Sequence, residues 1–247
     1  MPSTQNSYRQ RIYAGYVHAR DESLAPESLG GLELRGPYLR KLIREHFPPN
    51  KDAAILDVGC GHGAVLYFAQ AAGFVNARGV DGSPEQVAEA ARLGIPGVVQ
   101  GDLMAALRAC PAESLDTVVA IDVIEHFTRA ELLTFADEVH RALRRGGRFI
   151  IHTPNGDSPF CAMMRYYDFT HELAFTRASI NQMLRTCGFA DVRCYEDAPV
   201  PHGAKSSARW LLWKVIRAAL RFYLAVETGS APSDSIFSQN FLSVATK

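Results

Sequence analysis

From residue 50 onward, short apolar runs alternate with stretches whose apolar positions recur every three or four residues. The first pattern reads as buried strands and the second as amphipathic helices. The runs predict strands at about 53–58, 76–81, 96–100, 115–121, 147–153, 189–196 and 237–245, with helices over roughly 63–72, 84–93, 129–144 and 176–186. Strands this short, alternating with helices, predict an α/β fold with a mostly parallel sheet covered on both faces. Several edges are marked. Ser83-Pro84-Glu85 reads as a cap with proline at the first helical position, and Thr176 as another cap. Gly146-Gly147 is expected to close the 129–144 helix after Arg141, Arg144 and Arg145, and Gly188 to close the last.

Three segments depart from this alternation. Residues 1–50 are expected to form a helical cap, with Tyr8, Tyr13 and Tyr16 and an apolar seam of Leu32, Leu39, Leu42 and Ile43. Residues 51–247 then form the main domain. Within it, the connection 154–175 holds Phe160, Tyr166, Tyr167 and Phe169 and is long enough to be a lid or acceptor wall. Residues 206–226 read as an amphipathic helix, with Lys214, Arg217 and Arg221 on one side and apolar residues over most of the rest. Over 208–226 this helix could cover the domain, form a homodimer interface or rest on a membrane surface.

The strand at 53–58 runs into Asp57-Val-Gly-Cys-Gly-His-Gly63. Glycines at alternate positions allow a tight turn and bring bare backbone to a ligand. A dinucleotide fingerprint would need glycine at 64, where alanine stands, and no Lys-Ser or Lys-Thr pair follows for a nucleoside-triphosphate loop. Polar groups close four successive strands: Asp57, Asp81, Asp102 and Asp122. Ligands of open parallel sheets bind at such carboxyl ends, and a carboxylate about 20 residues past the glycine loop can accept from both hydroxyls of a ribose. Asp102, followed by Leu103 and Met104, suits a purine amino group and ring.

Composition narrows the picture less. Lys plus Arg equal Asp plus Glu, 26 of each, which argues against a phosphate-dominated partner, so no nucleic acid is expected. Five cysteines without a C-x-x-C pair suit a reducing compartment. The amino terminus carries no cationic region followed by an apolar core, and no uncharged run is long enough to span a bilayer. The expected location is cytoplasmic, with contact to the inner face of the membrane as the alternative. The eight histidines show no H-E-x-x-H spacing, so no metal is expected.

Taken together, Leu56–Gly63, Gly79-Val-Asp-Gly-Ser83, Gly101-Asp-Leu103, Leu115–Phe127, Val139–Phe149 and Phe175–Phe189 resemble the class I S-adenosylmethionine-dependent methyltransferases. The likeness is greatest to those that methylate small molecules, quinones and sugars. The resemblance runs from about residue 50 to 196 and resumes at Phe241–Ala245. It implies a Rossmann-like seven-stranded sheet whose last strand is antiparallel, and S-adenosyl-L-methionine as cofactor. On this resemblance Asp57, Gly59 and Gly61 would hold the methionine part, Asp81 with Gly82 the ribose, and Asp102 with Leu103 the adenine. Asp122 would line the cleft near the sulfonium, with His126 on the wall beside it. His62, where the family commonly has glycine or serine, is a departure.

The sulfonium already makes its methyl group electrophilic, so the protein must align a nucleophile and exclude water. A hydroxyl acceptor also needs its proton removed. His171, between Asp168 and Glu172, is the leading candidate base; His152 and His126 follow. Tyr13, Tyr166, Tyr167, Asp168 and His202 are expected to face the acceptor, a small molecule or sugar. The competing readings are an N-methyltransferase, a membrane-associated methyltransferase of quinone or lipid-linked glycan, and a non-catalytic scaffold.

Overall fold

A computed structural model of the chain describes residues 11–12, 25–230 and 232–247. Tyr8, Tyr13 and Tyr16 lie outside the described residues. A turn of 3-10 helix (Leu29–Leu34) leads into α1 (Gly36–His46). The alternating core follows: β1 (Ile55–Val58), α2 (Ala64–Ala71), β2 (Ala77–Asp81), α3 (Pro84–Leu93), β3 (Val98–Gln100), α4 (Leu103–Ala109) and β4 (Leu115–Ile121). A second 3-10 turn (Ile124–His126) precedes α5 (Arg129–Ala142), β5 (Leu143–Pro154), α6 (Cys161–Tyr166) and α7 (Arg177–Thr186). The chain ends with β6 (Asp191–Glu196), α8 (Ala204–Thr228) and β7 (Asn240–Thr246).

The seven strands form one sheet in the order β3-β2-β1-β4-β5-β7-β6. The pairs from β3 through β5 are parallel, and β7 runs antiparallel to both β5 and β6. Strand order therefore reverses between β1 and β4, which places the ligand crevice beyond their carboxyl ends. The strands read as apolar runs because both sheet faces are covered. On one face Leu56, Val118 and Phe149 pack with Phe135 and Val139 of α5 and Ile180 and Leu184 of α7. On the other, Ile55, Val119 and Ile150 meet Leu39, Leu42 and Ile43 of α1 and Val65, Leu66 and Phe68 of α2. The apolar seam expected before residue 50 thus lies on the sheet. Each such large side chain contributes about 1.5–3 kcal/mol.

The expected caps are formed. Ser83 accepts from the Gln86 amide, and Thr176 from Ser179 in a reciprocal capping box. Three expectations need correction. The helix thought to reach residue 144 stops at Ala142, because Leu143 is fully buried and pairs with Leu115 as the first residue of β5. Arg144 bonds Asp116 at 2.6 Å, Gly146 takes φ +75°, and the partner of β4 jumps from Leu143 to Arg148 across the bulge. Gly146-Gly147 is therefore part of a bulge, and of the three arginines Arg141 alone lies in the last helical turn, beside His140. Second, α4 stands where no helix was expected: Asp102 caps it, accepting from the Ala105 amide at 2.8 Å.

The third correction concerns α8, which is exposed along most of its length rather than laid over the sheet. Of its residues only Ser206 is buried, and Leu212, Val215, Phe222 and Val226 are exposed. Arg217 is an anchor rather than part of a free basic stripe: its Nε meets Glu196 at 3.0 Å, beside the Trp213 indole, and its guanidinium bonds the carbonyls of Ser233 and Ser235. Lys214 sits 3.6 Å over the Trp210 ring. Among the described residues no helix is long and apolar enough to cross a membrane.

Candidate active site

Beyond the carboxyl ends of β1 to β4 lies a cleft of about 900 Å³. Its floor is the glycine loop. Gly59 has φ +66°, and a Cβ there would come within 2.5 Å of Val123 Cγ2; Gly63 has φ +84°, with Val98 Cγ2 2.8 Å from where its Cβ would stand. Left-handed backbone costs other residues about 1–2 kcal/mol, and the Val123 contact adds overpacking. Gly59→Ala is therefore expected to destabilise the fold by about 2 kcal/mol or more, a fall in Tm of roughly 5 °C in thermal unfolding.

Asp81 closes the loop from the next strand. Its Oδ2 accepts from the Gly61 amide at 2.7 Å and its Oδ1 from the Ser83 amide at 2.8 Å. Burial pushes its pKa up and these two amides oppose the rise. Asp81, Gly82, Gly101, Asp102 and Leu103 line the cleft together with Gly59 and Gly61. Asp57 does not: it is buried, and neither of its carboxylate oxygens has a hydrogen-bond partner. Burial and then the charge of Asp81 hold its pKa well above the usual range. His62 is driven toward the neutral form by burial, and the neighbouring Gln86 side chain opposes the shift.

These groups fit S-adenosylmethionine. A loop that excludes Cβ atoms admits the cofactor backbone-close. Asp81, with two of its acceptor directions used by amides, keeps others for ribose hydroxyls. The orphaned Asp57 is the chemical complement of an α-ammonium group, since a buried carboxylate is costly without a cationic or hydrogen-bonding partner.

Asp122 and His126 stand on the wall of the same cleft. Asp122 follows β4 with φ +57°, a conformation Asp adopts more readily than most residues. Its Oδ1 bonds His152 Nδ1 at 2.5 Å, and Arg35 approaches Oδ2 at 3.8 Å. Burial would raise the Asp122 pKa, but the His152 charge and hydrogen bond outweigh it and hold it at about 2. His152 itself is 2% exposed, and its Nε2 meets Asp197 at 3.3 Å. Burial would lower its pKa, yet Asp122, followed by Asp197, pushes it up to about 10. Enclosed, with a carboxylate on each ring nitrogen, this imidazole offers no free lone pair to an acceptor hydroxyl.

His171 stands behind His126, their rings 4.8 Å apart and edge-on, and it does not line the cleft. Its Nδ1 lies 3.0 Å from the Met164 carbonyl and its Nε2 4.0 Å from Glu125 Oε1. Burial lowers the pKa of His171, and burial followed by His171 lowers that of His126 to about 4. Glu125 is 1% exposed; burial and then Asp122 raise its pKa to about 8. The connection over this group is pinned rather than loose. The amides of Glu172 and Leu173 donate to the Glu125 carbonyl, and Arg165 donates to the carbonyls of His171 and Glu172.

Among the described residues, those expected at the acceptor do not line the cleft. Asp168 is buried and accepts from the Thr170 amide and hydroxyl. Tyr166 and Tyr167 are exposed and do not line the cleft. His202 lies at an exposed turn before α8, its Nδ1 on the Val200 carbonyl. Tyr13 is outside the described residues. Glu125 was missed, although it stands beside His126, because nothing in the sequence says that its side chain turns inward toward a histidine 46 residues away. Val123, Phe127, Glu131 and Arg108 also line the cleft and carry no sequence signal of it.

Comparison with known proteins agrees with this geometry. A family described as a methyltransferase domain matches residues 32–193. A tRNA U34 carboxymethyltransferase of Alcanivorax borkumensis is 28% identical over 192 residues, covering 72% of this chain and 58% of that protein. One from Hahella chejuensis is 24% identical over 221 residues, covering 83% of this chain and 66% of that protein. The chain thus spans less than two-thirds of the length of these curated relatives. Among solved structures, a SAM-dependent methyltransferase from Archaeoglobus fulgidus superposes with a TM-score of 0.66 at 21% identity, covering 87% of this chain and 94% of that one. These relatives also correct one expectation: they are named for a tRNA, so neutral composition does not exclude a nucleic-acid partner. A zero net charge is a sum over the surface and is compatible with a local basic patch. By its matched family model and its sheet order, the chain belongs to the class I S-adenosylmethionine-dependent methyltransferases.

Proposed function

We propose that the protein transfers the methyl group of S-adenosylmethionine to a hydroxyl oxygen of a small molecule or sugar. The observation that carries this reading is one cleft that joins two sets of groups. Asp81 and Asp102 lie on one side, and Asp122 and His126 on the other. In this reading the glycine loop and Asp57 hold the methionine part of the cofactor, Asp81 the ribose and Leu103 the adenine face. His126 then stands where an acceptor hydroxyl would be oriented. In-line attack by that oxygen forms the O–CH₃ bond as the C–S bond breaks, with the electron pair left on sulfur and the hydroxyl proton passed to water. The protein's share of the catalysis is alignment and exclusion of competing water.

A second reading is favoured by the names of the curated relatives, which point to a tRNA nucleoside as acceptor. The test is label transfer from S-adenosyl-L-[methyl-³H]methionine to two panels, one of sugars and phenols and one of bulk tRNA. Label in ether-linked product of the first panel supports the main reading, and label confined to tRNA supports the second. Label found only on amines would overturn both.

A further inference from the structure

We propose that Glu125, His126 and His171 form a binding site for one divalent first-row cation of the Zn²⁺ or Mn²⁺ kind, set just behind the part of the cleft wall that His126 lines. One ligand atom from each of the three lies within 4.8 Å of the others. An ion about 2.1 Å from tetrahedrally arranged ligands would separate them by about 3.4 Å, so side-chain shifts of about an ångström close the set. Two imidazoles and one carboxylate are the donor types such ions take, and three protein ligands leave positions open for a substrate oxygen.

The surrounding hydrogen bonds prepare these donors. Thr170 Oγ1 gives its only proton to Asp168 Oδ1 at 2.6 Å, so at the 2.8 Å contact with His126 Nδ1 it must accept. That fixes the proton of His126 on Nδ1 and the lone pair on Nε2. The Met164 carbonyl can only accept, so His171 Nδ1 donates to it and the lone pair of this ring also lies on Nε2, 4.0 Å from Glu125. Metal-bound histidines are oriented in this way by partners on the other ring nitrogen. Glu125 supplies the independent sign of a ligand. Its Oε2 is held by the Thr153 hydroxyl at 3.1 Å, whereas its Oε1 is fully buried with no hydrogen-bond partner and faces His171. The short local spacing of metal motifs hid this set: Glu125-His126 and His171 come together only because the connection after β5 folds back over the 3-10 turn.

If the acceptor is a hydroxyl, as proposed above, its oxygen would take an open position on the ion. The ion would make the hydroxyl more acidic, the proton would leave to water, and the oxygen would attack the methyl group as its bond to sulfur breaks, the electron pair staying on sulfur. Binding of the ion does not depend on that reading, and the test treats the two separately. Protein stripped with chelator is titrated with Co²⁺ and followed by its visible ligand-field absorption, with Zn²⁺ as competitor. Cofactor binding is measured on the same sample by calorimetry with S-adenosylhomocysteine. One Co²⁺ per chain is expected, displaced by Zn²⁺. Glu125→Gln and His171→Ala should each weaken it by ~10²-fold or more, and Thr170→Val, which removes the orienting partner of His126 together with a hydroxyl donor to Asp168 but no ligand, by roughly 10-fold. His140→Gln, outside the set, should bind as wild type. Circular dichroism establishes that each variant is folded, and a misfolded variant leaves the Thr170→Val and wild-type titrations to decide. Absence of a stoichiometric spectrum in the wild type, or unchanged affinity in folded Glu125→Gln, overturns the site. Retained S-adenosylhomocysteine binding in either case leaves the methyl-transfer reading standing.

Discussion

Replacing Asp81 by alanine is expected to weaken S-adenosylmethionine binding by ~10²-fold or more while leaving a folded protein. The carboxylate does two jobs at once. It accepts from the Gly61 and Ser83 amides, 2.7 and 2.8 Å away, and so fixes the glycine loop against the end of β2. On the reading proposed above it also accepts from the ribose hydroxyls. Hydrogen bonds to a charged group contribute about 1.5–3 kcal/mol each, so losing the ribose contacts alone corresponds to one to two orders of magnitude or more, and a loosened loop adds to it. Asp81→Asn separates the two parts. It keeps one oxygen for an amide but turns an NH₂ group toward the other, so its affinity should fall between wild type and alanine. Calorimetric titration gives the affinities and urea unfolding the stability. An affinity for Asp81→Ala within threefold of wild type would remove Asp81 from the cofactor site.

That Asp81 could be read from the sequence at all reflects how local its signal is. A short apolar run, an acid at its end and a glycine loop one strand–helix–strand unit earlier are features of neighbouring residues, and the sheet needs little else to be recognised. Features that depend on which partner a residue meets were read less well. Asp102 has the position of a purine-binding acid, and it lines the cleft, but it also caps α4, whose two turns are too short to show an amphipathic period in the sequence. Arg144-Arg145-Gly146-Gly147 has the composition of a helix end, yet the buried Leu143 and the Asp116 partner of Arg144 make it a bulged strand. The 208–226 segment shows the same limit: its periodicity specified a helix but not what meets its apolar side. Likewise His171 could be singled out by its neighbours Asp168 and Glu172, whereas its actual partners, Glu125, His126 and the Met164 carbonyl, are set by the fold.

His152 supports the second large prediction, a loss of stability in alkali that one substitution removes. The ring is 2% exposed, with Asp122 on Nδ1 at 2.5 Å and Asp197 on Nε2 at 3.3 Å. Two carboxylates on its two nitrogens require two donors, hence an imidazolium. Tyr38 packs edge-on against it at 5.8 Å, and Arg35 faces the far oxygen of Asp122. Burial, Asp197 and Asp122 all raise the Tyr38 pKa, so that phenol stays neutral through the range considered. Because the pKa of His152 rises from 6.5 unfolded to about 10 folded, its contribution is complete below about pH 6.5 and is lost as pH climbs through about 10. Asp122, held down at about 2, contributes above about pH 4 and loses that only in strong acid. The full shift would correspond to more than 4 kcal/mol, but Asp122 is 42% exposed, and solvent screening reduces the expectation to about 2 kcal/mol. Urea unfolding at pH 6.5 and pH 10 should therefore show wild type losing about 2 kcal/mol more than His152→Gln. The variant should be the less stable of the two at pH 6.5, where it leaves Asp122 without its cation, and the curves should converge toward pH 10. Parallel curves across that range would mean that His152 is neutral in the folded protein and that the contact with Asp122 is an ordinary hydrogen bond.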